Sequence, residues 1–145
     1  MALKHEFLNV SAEHLSPLVE LNNLLFPKNA IRCKNGEKVY WPPEYEGADD
    51  ILLNIITDRC SECVNLDDDI VRSMLHDFEI VDTLYGGFIP FSGINYYGFT
   101  LIPLESIPTF ISVLADVKTN LEIDTVLNLC DMAIDKKQYI LHRGV

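Results

Sequence analysis

Apolar residues recur along the chain at two spacings, and each predicts a kind of element. Leu15, Leu18, Val19 and Leu25 step mostly by three and four. They predict a helix opening at Ser11, or at Ser16 with Pro17 in its first position, and ending at Phe26 and Pro27. Residues 30–33 and 38–41 read as two short strands joined around Asn35 and Gly36, a pair that accepts the positive φ of a tight turn. The nine residues 42–50 (PPEYEGADD) hold two prolines, one glycine and four acids, which predicts an exposed loop. Asp49 or Asp50 then caps a second helix with Leu52, Ile55, Ile56, Cys60 and Cys63 on its buried face. The chain restarts over residues 65–69 into a third helix, where Ile70, Val71, Met74, Leu75 and Phe78 repeat the helical spacing and acids occupy the first turn, at the positive end of the helix dipole.

Between residues 79 and 102 the pattern changes to aromatic and β-branched residues punctuated by Gly86, Gly87, Pro90, Gly93 and Gly98, which is strand and turn chemistry. Two strands, residues 87–91 and 94–102, are expected to form an antiparallel pair around Ser92 and Gly93, with Pro103 closing the second. Ser106 with Pro108 just inside opens a fourth helix carrying Ile107, Phe110, Ile111, Leu114 and Val117. A fifth, residues 121–135, buries Ile123, Val126, Leu127, Cys130 and Ala133. Residues 139–145 add a short edge strand or fray. The expected architecture is α+β: about five helices packed on a small, mainly antiparallel sheet, in one domain spanning 1–145. There is no internal repeat and no linker long enough to divide the chain.

The 145 residues are 48% apolar and 23% charged, enough to bury a core without disulfide staples. Eleven Lys and Arg against twenty-two Asp and Glu leave a net charge of −11. Such a surface repels phosphates and acidic lipid, so neither nucleic acid nor a membrane is an expected partner. No apolar run approaches the roughly 20 residues that span a bilayer, and residues 1–10 lack a secretory apolar stretch. With four cysteines, the expectation is a cytoplasmic protein whose thiols are reduced and mostly buried.

Candidate chemistry is sparse. Cys60 and Cys63 have the C-x-x-C spacing of a zinc or redox pair, but no second pair supplies further ligands, and the pair closes a helix rather than opening one. Asp67, Asp68 and Asp69 fail the EF-hand pattern, with Val71 and Arg72 where a ligand and glycine belong. Gly86 and Gly87 lack the rest of a phosphate-binding loop. His5, His14, His76 and His142 lie apart, with no spacing that pairs them. Neither a cofactor, a metal nor an enzymatic activity is expected, although a triad can assemble from distant residues.

Charge distribution is more informative. Residues 44–82 carry twelve acids opposed only by Arg59 and Arg72. Tyr40, Trp41 and Tyr45 stand beside prolines at the start of this span, and aromatics on an acidic loop suit an interface with a basic protein: carboxylates steer the encounter and rings supply the desolvated anchor. The expected contacts are Tyr40, Trp41, Glu44, Tyr45, Glu46, Asp49 and Asp50, with Asp67, Asp68 and Asp69 as a second acidic patch. Tyr96 and Tyr97 rank below them, because strand aromatics are more often core.

Residues 96–113, YYGFTLIPLESIPTFISV, resemble a pattern of small bacterial immunity proteins, including those of contact-dependent growth inhibition systems: an aromatic-glycine strand ending in Ile-Pro, then Glu-Ser opening an apolar helix. The resemblance covers about an eighth of the chain. It implies a cytoplasmic inhibitor of the toxic C-terminal domain of a delivered toxin, often a basic nuclease. The alternatives are a stand-alone assembly subunit such as a homodimer, and a small zinc-binding domain using the C-x-x-C pair.

Overall fold

The centre of the molecule is built from residues far apart in the chain. In the computed structural model, which describes residues 3–11, 13–15, 33–34, 46–85, 89–117 and 120–145, strand β1 (Lys4–Val10) lies antiparallel to β7 (Tyr139–Arg143), with Phe7 opposite His142 and Leu8 opposite Leu141. Successive side chains of a strand point to opposite faces. His5, Phe7 and Asn9 therefore face one way and Leu8 and Val10 the other, and all five are buried, so the sheet is covered on both sides here.

On the far side of β7 lies β6 (Phe99–Ile102), then β4 (Asp82–Tyr85), then β5 (Ile89–Ser92); β3 (Val64–Asp67) flanks β1. These six strands run antiparallel to their neighbours, and a two-residue strand β2 (Cys33–Lys34) joins the β5 edge in parallel. Four α-helices stand among the described residues: α1 (Glu46–Asp58), α2 (Asp68–Met74), α3 (Ile107–Ala115) and α4 (Leu121–Lys136). Short 3-10 turns occupy Cys60–Glu62, Asp77–Ile80 and Leu104–Ser106. The α+β architecture is as the sequence predicts. The helix expected to begin at Ser11 or Ser16 reaches into residues outside those described.

Each sheet face has its own core. On one, Phe7, Leu66, Ile102 and Ile140 pack against Val71 and Met74 of α2, Phe110 and Leu114 of α3, and Val126 and Cys130 of α4. On the other, Leu8, Val10, Leu101 and Leu141 pack against Leu52 and Ile56 of α1. Asn9 ties the sheet to α4 by donating from Nδ2 to the Leu129 carbonyl at 3.0 Å.

Several expectations change. The strands around Ser92 and Gly93 do not pair with each other: β4 lies between β5 and β6 and bonds to both. Gly93, at φ 97°, instead turns the chain out of β5, and its amide donates to the Val81 carbonyl at 2.9 Å. Residues 139–143 form neither an edge strand nor a frayed end but a central one, because Ile140, Leu141 and His142 find partners on both sides. The restart at residues 65–69 is strand β3 running into α2. Cys33 and Lys34 pair with Phe91 and Ser92; the rest of the expected hairpin at residues 30–41 lies outside the described residues. The loop expected over residues 42–50 does not extend to its end: α1 begins at Glu46, so Asp49 and Asp50 lie inside a helix rather than capping one, and residues 42–45 lie outside the described residues.

Candidate functional site

At one end of the sheet, β1, β6, β7 and α2 bring four polar side chains into one line beneath a turn. His5 and His142, separated by 137 positions in sequence, stack with ring planes 11° apart, and His5 Nδ1 lies 2.8 Å from His142 Nε2. Both residues are 0% exposed. His5 Nε2 lies 3.2 Å from Asp68 Oδ1, and Asp68 Oδ2 lies 3.0 Å from Arg72 Nε. Tyr96 donates its hydroxyl to Asp68 Oδ1. At the other end of the line, His142 Nδ1 lies 3.4 Å from Thr100 Oγ1, which accepts from the Asn95 amide at 2.8 Å.

The carboxylate sets the polarity of this line. The Tyr96 hydroxyl, with help from His5 and Arg72, holds the Asp68 carboxyl below the usual range, so it is ionised and only accepts. His5 therefore donates from Nε2. Burial lowers the pKa of His5 below its ordinary value despite Asp68, and lowers that of His142 well below it, with His5 adding to the effect. Both rings are neutral at pH 7. His5 Nδ1 then accepts from His142 Nε2, and His142 Nδ1 faces the Thr100 hydroxyl as an acceptor. The donors between Asn95 and Asp68 all point toward the carboxylate.

Above this line sits the turn of residues 95–98. Tyr97 is 80% exposed and meets Tyr96 edge-on at a centroid distance of 4.7 Å; Tyr96 in turn lies 5.2 Å from His5. Gly144 donates to the Gly98 carbonyl at 2.7 Å and Val145 to that of Tyr96 at 3.0 Å. A Cβ on Gly144 would run into the Tyr96 carbonyl, so the close approach requires glycine there. On the α2 side, exposed Asp69 accepts from Arg72 at 2.7 Å. The Asp67 amide donates to Glu122 at 2.8 Å, and Glu122 also faces Lys4.

The residues expected to form an interface are thus divided. Asp68 meets Tyr96 and Arg72, and Asp69 pairs with the same Arg72, whereas Asp67 lies in β3 opposite Lys4; Asp68 is buried, so only Asp69 and half-buried Asp67 offer charge outward. Glu46, Asp49 and Asp50 belong to α1, whose Leu52 and Ile56 pack on the sheet face opposite the one that α2 covers. Tyr40, Trp41, Glu44 and Tyr45 lie outside the described residues. Tyr97, ranked low as strand-like core, is among the most exposed large side chains described, because it stands in a turn before β6 begins at Phe99. Sequence spacing could not find the histidine pair, since only the β1 to β7 pairing creates it.

Cysteine placement also differs from expectation. Cys60 is exposed in the 3-10 turn after α1, Cys63 is half-buried and Cys130 buried, all three free. Burial pushes the Cys63 thiol up to about 11 and the Cys130 thiol to about 12, away from the thiolate that redox or metal chemistry needs. Among the described residues, no group of three or more His, Cys, Asp or Glu side chains is placed to hold a metal ion, and no helix is long and apolar enough to cross a membrane. Comparisons with family models, curated proteins and solved structures find no match for this chain.

Proposed function

We propose that this chain is a cytoplasmic immunity-type protein that binds the toxic C-terminal domain of a cognate bacterial toxin, a basic protein such as a nuclease, and neutralises it through an acidic, aromatic-containing surface. The observation that carries this reading is Tyr97: a large ring 80% exposed, braced edge-on by a tyrosine whose hydroxyl Asp68 holds. A pre-ordered aromatic costs little entropy on binding, and such rings are the usual anchors of protein interfaces. A net charge of −11 adds long-range attraction for a partner that is positive where it binds phosphates. The acids and aromatics of residues 40–50 supply a second contact region in this reading. A binding role also suits the histidine pair, which is sealed from solvent and so has no contact with a substrate.

Co-expression with the C-terminal domain of a large toxin encoded beside this chain tests the proposal. A stable one-to-one complex that abolishes toxicity supports it; free toxin activity in the presence of excess protein overturns it. The alternative of a stand-alone assembly subunit draws on Ile80, 69% exposed on a groove of about 340 Å³ shared with His76, Asp77, Val113 and Asp116. A dimer in solution that Ile80→Asp dissociates would favour that alternative.

A further inference from the structure

We propose that the line Thr100–His142–His5–Asp68 is a proton-responsive latch that holds the Tyr96–Tyr97 turn against the sheet at neutral pH and releases it in acid. The consequence for a partner rests on the reading of Tyr97 as a contact; the latch itself does not.

The first support is connectivity. Four hydrogen bonds fasten the turn and the segment beneath it: Tyr96 hydroxyl to Asp68, Asn95 amide to Thr100 Oγ1, Gly144 amide to the Gly98 carbonyl and Val145 amide to the Tyr96 carbonyl. Two of the four end on members of the line. Any rearrangement of the line therefore reaches the turn directly.

The second support is proton capacity. With both rings neutral, every contact in the line has one hydrogen to share. One proton from solvent can be taken up if the hydrogens reverse: His5 becomes a cation beside Asp68 and donates from Nδ1 to His142 Nε2, while His142 carries its own hydrogen on Nδ1 and turns it toward Thr100 Oγ1. That forces the Thr100 hydroxyl hydrogen to leave its present partner. A second proton has no place, because two N–H groups would then face each other across 2.8 Å.

Among the described residues the surroundings offer no other relief. Asp68 of α2 is the anion that faces the pair, and it is already shared with Arg72 and Tyr96. From β1, Phe7 lies against the His142 ring, and Leu66 of β3 stands opposite His5. Lys4 and Glu122 pair with each other beside β3, and Glu6 with Arg143. Two cationic rings are accommodated only by opening this end of the sheet to water, and the turn is its cover.

Histidine ring NMR and amide exchange on the free wild-type protein, from pH 7.5 to 4.5, test this. At pH 7.5 both rings should be neutral with hydrogen on Nε2. As the rings titrate below their ordinary 6.5, protection factors at Asn95, Gly144 and Val145 should fall at least tenfold while those within α4 hold. Turn protection that survives titration of both rings, or that is lost together with α4, overturns the latch. In His142→Gln the pH-dependent step should shrink or vanish; if that variant does not fold, the wild-type titration decides alone. A turn that opens in acid while affinity for the toxin domain stays constant would sink the Tyr97 contact and leave the latch intact.

Discussion

Asp68 shows how burial changes the meaning of a residue. In sequence it is the middle of three acids; in the structure it is the acceptor on which His5, Tyr96 and Arg72 converge. Asp68→Asn keeps the shape but replaces an acceptor oxygen with an NH2 donor, so at least one of these donors loses its partner. The variant is expected to be less stable at pH 7.5 by urea denaturation, and its Tyr96 hydroxyl to lose the upward pKa shift that Asp68 imposes. Tyr97 is the opposite case. Being exposed, Tyr97→Ala should change stability by no more than about 0.5 kcal/mol, yet raise the Kd for a toxin domain roughly 30-fold, about 2 kcal/mol, if the ring is an anchor. Calorimetric titration of the purified pair measures this.

At the scale of elements, helices were the more legible part. Helix α4 begins where Asn120 accepts from the Glu122 amide at 2.7 Å, and it buries Ile123, Val126, Cys130 and Ala133 as their spacing predicts. It ends at Lys137, held at φ 55°. A left-handed residue is easier for glycine, so exposed Lys137→Gly should stabilise the protein by about 0.5–1 kcal/mol, read as a raised urea midpoint. Helix α3 likewise follows its spacing, with Pro108 in the first turn, although Ser106 makes no side-chain cap bond. Helix α1 begins earlier than its text suggests, because Pro42, Pro43 and Gly47 make the stretch resemble loop, while glycine lowers helix propensity without forbidding the first turn. At the sheet end, Gly144→Ala should cost about 1–3 kcal/mol by forcing the Tyr96 carbonyl away.

For the whole molecule, the buried imidazoles set a pH dependence whose sign is definite. Their folded pKa values lie below the unfolded 6.5, so below that pH the unfolded chain binds protons that the folded one refuses. Stability should be level above about pH 6.5 and fall as the pH drops toward the folded values, giving a lower urea midpoint at pH 5.5 than at pH 7.5. Asp68 works in the same direction further down, since its contribution is present above its ordinary 3.8 and lost as the pH falls through its lower folded value. Charge acts at this scale through association. Reversing Glu44, Glu46, Asp49 and Asp50 together should slow capture of a basic partner and flatten its salt dependence, as stopped-flow kinetics would show. Unchanged rates would remove α1 and the residues before it from the steering surface.

By itself, the amino-acid order determined the α+β class, the spans of α3 and α4, the end of β6 before Pro103 and the acidity of the surface, since each depends on neighbours within a few positions or on a simple sum. Only the tertiary structure decided which strands meet: β4 entering between β5 and β6, and β7 lying against β1 at the centre. A strand's alternation says that a face is buried and not by what, so the same text serves at an edge or in the middle. The histidine pair is the sharpest instance, for His5 and His142 become neighbours solely through β1 pairing with β7.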